Sequence, residues 1–266
     1  MKETIKTLSA TLLTAAALLL AACGGDGGKT VGFGKAEAER SVAITDEEGV
    51  PACHVHIELA CAKENGGEAA KAINATLAEQ LLGMEGVSLQ AAADSFANSY
   101  TRDYRRNFAP LYREDRSDPD KRAWYEYRYS LSGEAAEGRE GVTVYKATVD
   151  YYEGGAHGIN QLLVFNFDNQ TGRLLMLSEL FVPGFEQALA DKLLEALLKQ
   201  SEAKDLDDLH NKGYLYSMDM FAPENFILDK DNITFIYNPY EIAPYAMGRI
   251  ELELAYDDLE DIMKKQ

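Results

Sequence analysis

The sequence predicts an α+β fold of antiparallel sheets with helices packed on one face, divided into two α+β halves. Two observations carry this. Strand-like alternation recurs in runs along the 266 residues, and stretches with a helical apolar stripe interrupt those runs instead of alternating with them one for one.

The first 22 residues stand apart. Lys2 and Lys6 precede an apolar run from 12 to 22 that ends Leu20-Ala21-Ala22-Cys23. A dozen apolar residues are too few to span a bilayer, so the segment reads as a signal peptide core. Its ending has the pattern of a bacterial lipoprotein signal, which makes Cys23 the expected lipidated first residue of the mature chain. The other reading is an ordinary secretory peptide with an incidental cysteine. A Gly-rich stretch follows, Gly24-Gly25-Asp26-Gly27-Gly28, and residues 23–40 are expected to form the lipidated start and a flexible tether. Folded structure is expected to begin between 38 and 51, with an N-terminal α+β region over 41–140 and a C-terminal one over 141–266.

The first expected strand is 53–61. Cys53, Val55, Ile57, Leu59 and Cys61 share one face, and His54, His56 and Glu58 share the other. A continuous strand holds the two thiols about 26 Å apart, beyond disulfide reach. His54, His56 and Glu58 can be read as a metal-binding face or as the polar side of a half-buried strand, and that question stays open at this point.

A helix is expected over 68–82, with Ile73, Leu77 and Leu81 in register and Gly83 as its stop. A second opens at Ser88 and is expected to end before Pro110. Residues 113–122 read as a loop. Tyr125, Tyr127, Tyr129 and Leu131 then alternate with polar residues, as do Tyr145, Ala147, Val149 and Tyr151, which predicts two neighbouring antiparallel strands. Residues 161–167 and 173–180 flank the turn-forming Asp168-Asn169-Gln170-Thr171-Gly172, a predicted hairpin. A third helix is expected over 185–200, a hairpin over 226–237, and a last strand over 250–256 before a short acidic helix. A soft boundary falls near 133–141.

Composition narrows function. With 26 basic and 44 acidic residues the net charge is −18, and loss of Lys2, Glu3 and Lys6 on cleavage makes the mature chain one unit more negative. Nucleic acid is excluded as a partner by repulsion, and cationic partners are favoured. No Gly-x-Ser-x-Gly elbow and no His-Glu-x-x-His occur, and the acidic pattern around 229–232 lacks the later ligands of a calcium loop. No cofactor is expected. A carboxylate-based hydrolase stays open, because a glycosidase needs only two acids.

The distinctive segments are Gly154-Gly155-Ala156-His157-Gly158, the Phe165-to-Arg173 turn, and Asn238-Pro239-Tyr240-Glu241-Ile242-Ala243-Pro244-Tyr245-Ala246-Met247-Gly248. On these segments residues 142–259 resemble the ectodomain family of the lysozyme-sensing anti-sigma factor RsiV, which also occurs as an accessory region of some peptidoglycan deacetylases. The resemblance implies an extracytoplasmic binding or sensing module; with the missing catalytic motifs and the signal at Cys23, a non-catalytic module anchored to the cell envelope by lipid is expected. The resemblance also implies lysozyme or peptidoglycan fragments as partners. The chain departs from that family in having no sigma-binding region, transmembrane helix or deacetylase domain. His157, Tyr240, Glu241 and Tyr245 are the expected ligand contacts. For the tyrosines two readings stand, contact with a ligand or inward packing that pins the loop. A purely structural envelope lipoprotein is a further alternative.

Overall fold

Small and charged residues alternating along the chain build its first strand. The structure, a computed structural model that describes residues 31–265, opens on β1 (Phe33–Ala43), with Ala36 and Ala38 buried and Lys35, Glu37 and Glu39 exposed. The signal segment, Cys23 and residues 24–30 lie outside the described residues. Two expectations are thereby corrected, a tether reaching to 40 and a fold beginning no earlier than 38. The inward face of β1 is largely alanine, too weakly apolar to register as a strand in the sequence. That smallness lets helix backbone approach closely.

β2 (Ala52–Ala62) pairs antiparallel with β1 and keeps the expected alternation, with Cys53, Val55, Ile57 and Leu59 buried and His54 and His56 exposed. Both cysteines are free thiols. Next come α1 (Gly67–Leu82), ended by Gly83 at φ 66°, and α2 (Leu89–Asp115), whose Ser88 hydroxyl accepts from the Ala91 N–H at 3.2 Å. α2 runs through Pro110 instead of ending before it. Proline removes one N–H bond in a helix interior, yet Tyr112 beyond it is buried and meets the Tyr125 ring edge-on at 5.3 Å. Burial of that last turn outweighs the missing bond. The expected loop at 113–122 is therefore the end of α2 followed by a 3-10 turn, Pro119–Tyr125.

β3 (Tyr127–Glu137), β4 (Val142–Glu153) and β5 (Ile159–Asp168) complete a five-stranded sheet in the order β1-β2-β3-β4-β5. β3 and β4 are antiparallel neighbours, with Tyr129 opposite Tyr151 and Leu131 opposite Val149. β2 and β3 are parallel, a departure from the all-antiparallel expectation. The reason lies in the connection: α1 and α2 cross one face of the sheet and return the chain in the same direction.

After β5 the chain makes the expected turn but no returning strand. Only one bridge forms, between Phe167 and Leu174, before α3 (Leu177–Leu180), α4 (Glu186–Gln200) and α5 (Leu206–Asn211). A second antiparallel sheet then forms from β6 (Phe226–Leu228), β7 (Asn232–Tyr237) and β8 (Ile250–Ala255), in that order. The acidic end is a 3-10 turn, Tyr256–Leu259.

Two cores result. In one, α1 and α2 pack on the face of the first sheet that carries Val55, Ile57, Leu131 and Tyr145. In the other, Val142, Val144, Leu162 and Val164, on the opposite face of β4 and β5, meet the second sheet and Leu189, Leu193 and Leu197 of α4. β4 and β5 are thus covered on both sides, and Val142 to Tyr145 of β4 are buried on both faces in succession. The boundary expected at 140 and 141 lies in the turn between β3 and β4, which pair from end to end. The cores share strands instead of dividing there.

Candidate functional site

The connection between β4 and β5 and the one between β7 and β8 meet at one end of the molecule. Gly154 and Gly155 turn the chain at φ 81° and 97°. At Gly154 a Cβ would lie 2.6 Å from the Trp124 carbonyl oxygen, so only glycine fits. The turn delivers His157 exposed. Its Nδ1 sits 2.9 Å from the Gly158 carbonyl oxygen, an acceptor only, so Nδ1 carries the proton in the neutral ring and Nε2 is free to accept. The Tyr240 hydroxyl lies 3.2 Å from that Nε2.

Tyr245 completes the group. Its ring stacks on His157 with centroids 4.1 Å apart and planes 16° off parallel, and it lies 5.6 Å from the Tyr240 ring. Residues 83 positions apart in sequence thus form one ring stack. Tyr240 is 59% exposed and adopts φ 75°, a region that costs a non-glycine residue roughly 1–3 kcal/mol.

The loop holds that geometry through its neighbours. The Asn238 side chain clasps β5, accepting from the Leu162 N–H at 2.8 Å and donating to the Leu162 carbonyl at 3.0 Å. Glu241 turns back into the loop and accepts from the Asn238 N–H at 2.8 Å, with burial raising its carboxyl above the usual carboxylate range. Of the four expected contacts, His157, Tyr240 and Tyr245 come together. Glu241 instead acts as an internal brace.

One segment escaped the sequence reading. Residues 213–221 dock on the same loop, the Leu215 N–H donating to the Ile242 carbonyl at 2.8 Å. Leu215 and Ser217 have φ 51° and 60°, and between them Tyr216 projects with 82% of its surface exposed, near exposed Met218 and Phe221. The available signal was a cluster of large apolar residues with neither strand nor helix period, in a place where a loop would ordinarily be polar.

His54, His56 and Glu58 lie on the solvent face of β2. His54 Nδ1 is 3.0 Å from the Ser41 hydroxyl, and Glu58 is paired with Lys35, which lowers its carboxyl. Among the described residues no three His, Cys, Asp or Glu side chains are placed to hold a metal ion. Burial pushes the Cys53 thiol up to about 12, leaving it an unreactive core group.

A family model described as "Protein of unknown function (DUF3298)" matches residues 178–257, a span that includes the Tyr240 loop and excludes His157. No curated protein matches the sequence. Among solved structures, a DUF3298 family member from Bacteroides fragilis is similar at TM-score 0.81 and 28% identity, over 89% of this chain and 96% of that one. A DUF3298 family protein from Pseudomonas aeruginosa is similar in fold at TM-score 0.59 and 22% identity, over 88% of this chain and 95% of that one. Both likenesses extend well beyond residues 178–257. The helix-covered first sheet therefore accompanies the second in these proteins.

Proposed function

We propose that this chain is a non-catalytic, lipid-anchored binding module of the bacterial cell envelope, gripping a cationic partner through the ring stack of His157, Tyr240 and Tyr245. The observation that carries the reading is the stack itself. Asn238 fastens the β7–β8 loop to β5 and Glu241 braces that loop from within, so that two loops remote in sequence leave aromatic rings facing water. Rigid, amphipathic rings lose little conformational entropy on contact, and exposed apolar clusters on stable scaffolds mark interaction surfaces. Tyr216, Met218 and Phe221 are exposed on a segment that Leu215 fastens to the same loop.

The net charge of −18 supports a cationic partner by steering its approach. The likeness of residues 142–259 to RsiV-type ectodomains supports lysozyme as the first partner to try and peptidoglycan fragments as the second. Charge sets the encounter rate, and the rings set the lifetime.

The two contributions separate in surface-binding kinetics with immobilised full chain and lysozyme as analyte. Raising salt to physiological strength, where the Debye length is about 8 Å, is expected to slow association. Tyr240→Ala or Tyr245→Ala, shown to be folded by circular dichroism, is expected to speed dissociation by about 30-fold if each ring contributes about 2 kcal/mol. Salt-independent association together with unaltered dissociation would place any binding on another surface. Turnover of peptidoglycan by the purified chain would instead favour the carboxylate hydrolase.

A further inference from the structure

A second recess opens where α2 passes the ends of β3 and β4, and its walls are aromatic. Spacing of four along α2 sets Phe96, Tyr100, Tyr104 and Phe108 in one stripe. Phe96 and Tyr100 stack at 5.7 Å, and Tyr104 and Phe108 lie 6.0 Å apart. Tyr127 of β3 closes on the second pair at 5.1 and 4.9 Å. Tyr104 and Tyr127 are buried, and the Tyr104 hydroxyl donates to the Tyr125 carbonyl at 2.7 Å, so this wall is rigid. Phe96, Tyr100 and Phe108 are half-buried and border a volume of about 280 Å³.

The charged groups that line the recess are both anionic, Asp103 and Glu153, beside the neutral Ser99 and Asn107. Glu153, the last residue of β4, accepts from the Tyr100 hydroxyl, which fixes the carboxylate beside the ring. Asp103 Oδ1 is buried and makes no hydrogen bond within the described residues. Arg106 and Arg102 stand 3.3 and 3.5 Å from it, without hydrogen-bond geometry. No cationic side chain lines the recess itself.

Aromatic faces are electronegative, and a cation within about 6 Å of a ring centroid is attracted to them. An anion here would meet two carboxylates. A neutral apolar occupant would strip water from Glu153, which has the Tyr100 hydroxyl as a partner but no cation. A cation answers both demands, with its charge near Glu153 and Asp103 and its alkyl groups against the rings. We propose that this recess is a binding site for an alkylammonium group, carried either on a lysine side chain of a peptide or on a small amine. The volume admits one such head group. This inference is independent of the ring stack, although Glu153 begins the loop that carries His157.

The test uses the full chain in detergent and saturation-transfer NMR. The probes are tetramethylammonium chloride, the methyl amide of N-acetyl-lysine, and N-acetylglucosamine as an uncharged comparison. Both ammonium probes are expected to bind and compete with each other if a peptide lysine is a ligand. Binding of tetramethylammonium alone assigns the site to small amines. Phe96→Leu is expected to weaken either by about 2- to 30-fold, the range spanned by one cation–π contact. Glu153→Gln and Asp103→Asn are expected to weaken them in the same direction, and they decide the matter if Phe96→Leu fails to fold. Absence of transfer to both ammonium probes, or equal affinity in all folded variants, overturns the proposal. So does binding of N-acetylglucosamine alone, which would make the recess a sugar subsite.

Discussion

Asp168 closes the turn after β5 almost single-handedly. Its Oδ1 accepts from the Gln170 N–H at 3.2 Å, the Thr171 N–H at 2.8 Å and the Thr171 hydroxyl at 2.7 Å. The Thr171 hydroxyl is the leading reason its carboxyl lies below the usual value of 3.8. Because the pKa is lower in the folded chain, the folded state binds fewer protons than the unfolded one in that window. The benefit is full above about 3.8 and disappears as pH falls through the lower folded value. Asp168→Ala should therefore cost about 1 kcal/mol at neutral pH, with the gap from wild type narrowing as pH falls below the ordinary carboxylate value. Urea midpoints across that range test it, and a gap that stays constant into acid would remove the carboxylate from the account. The sequence exposed this residue because Asp-Asn-x-Thr-Gly is local turn chemistry. Glu241 was not legible in the same way. It was expected to reach a ligand, whereas its bond to the Asn238 N–H depends on the loop's closed shape.

At the scale of elements, side-chain amides stand in for missing strands. Gln90 accepts from the Glu37 N–H at 3.1 Å and donates to the Glu37 carbonyl at 2.8 Å, occupying the outer edge of β1. Asn74 makes the same two-point clasp on Ala62. At the other edge of the sheet, Asn225 accepts from the Val164 N–H and donates to the Leu162 carbonyl, both at 2.8 Å. There Asn238 takes the Leu162 N–H, and Asn166 reaches back to Phe226 and Leu228 of β6. Two sheets are thus joined without a continuous ladder, and the open edges are blunted against foreign strands. Asn225→Ala and Asn238→Ala should each cost about 1–3 kcal/mol, because a buried Val164 or Leu162 amide is left without a partner. As both amides donate to the Leu162 carbonyl, the double variant should depart from additivity. Chemical denaturation measures both effects, and losses under about 0.5 kcal/mol would show that water replaces the amides. None of this was visible in the sequence, since an amide in a loop carries no periodicity. Strands with strong alternation, such as β2 and β8, were legible. β1 was not, because two buried alanines scarcely raise its apolar signal. The last turn of α2 was hidden by Pro110, whose local cost is offset by burial of Tyr112.

At the scale of the molecule, the α+β class followed from counting strand and helix patterns, but the arrangement of cores did not. β4 carries Tyr145 to one core and Val144 to the other, and a strand serving two cores blurs any boundary read along the chain. Likewise, the ring stack was legible only as separate loops, with nothing to show that residues 157 and 245 would touch. The attachment of the whole body rests on sequence alone. Its net charge of −18 repels an anionic lipid surface, and among the described residues no helix is long and apolar enough to cross a membrane. We propose lipid on Cys23 as the attachment, since two acyl chains at about 0.8 kcal/mol per buried methylene suffice for stable anchoring. Expressed in a bacterium that processes lipoproteins, the full chain should partition with membranes and carry a mass above that of the bare polypeptide beginning at Cys23. The Cys23→Ala variant should lose that added mass and move to the soluble fraction. A wild-type mass equal to the bare chain would refute lipidation. A Cys23→Ala chain that stayed with membranes after removal of residues 1–22 would mean that the acidic body holds the envelope through a protein partner, and the ring stack would become the first surface to mutate in search of it.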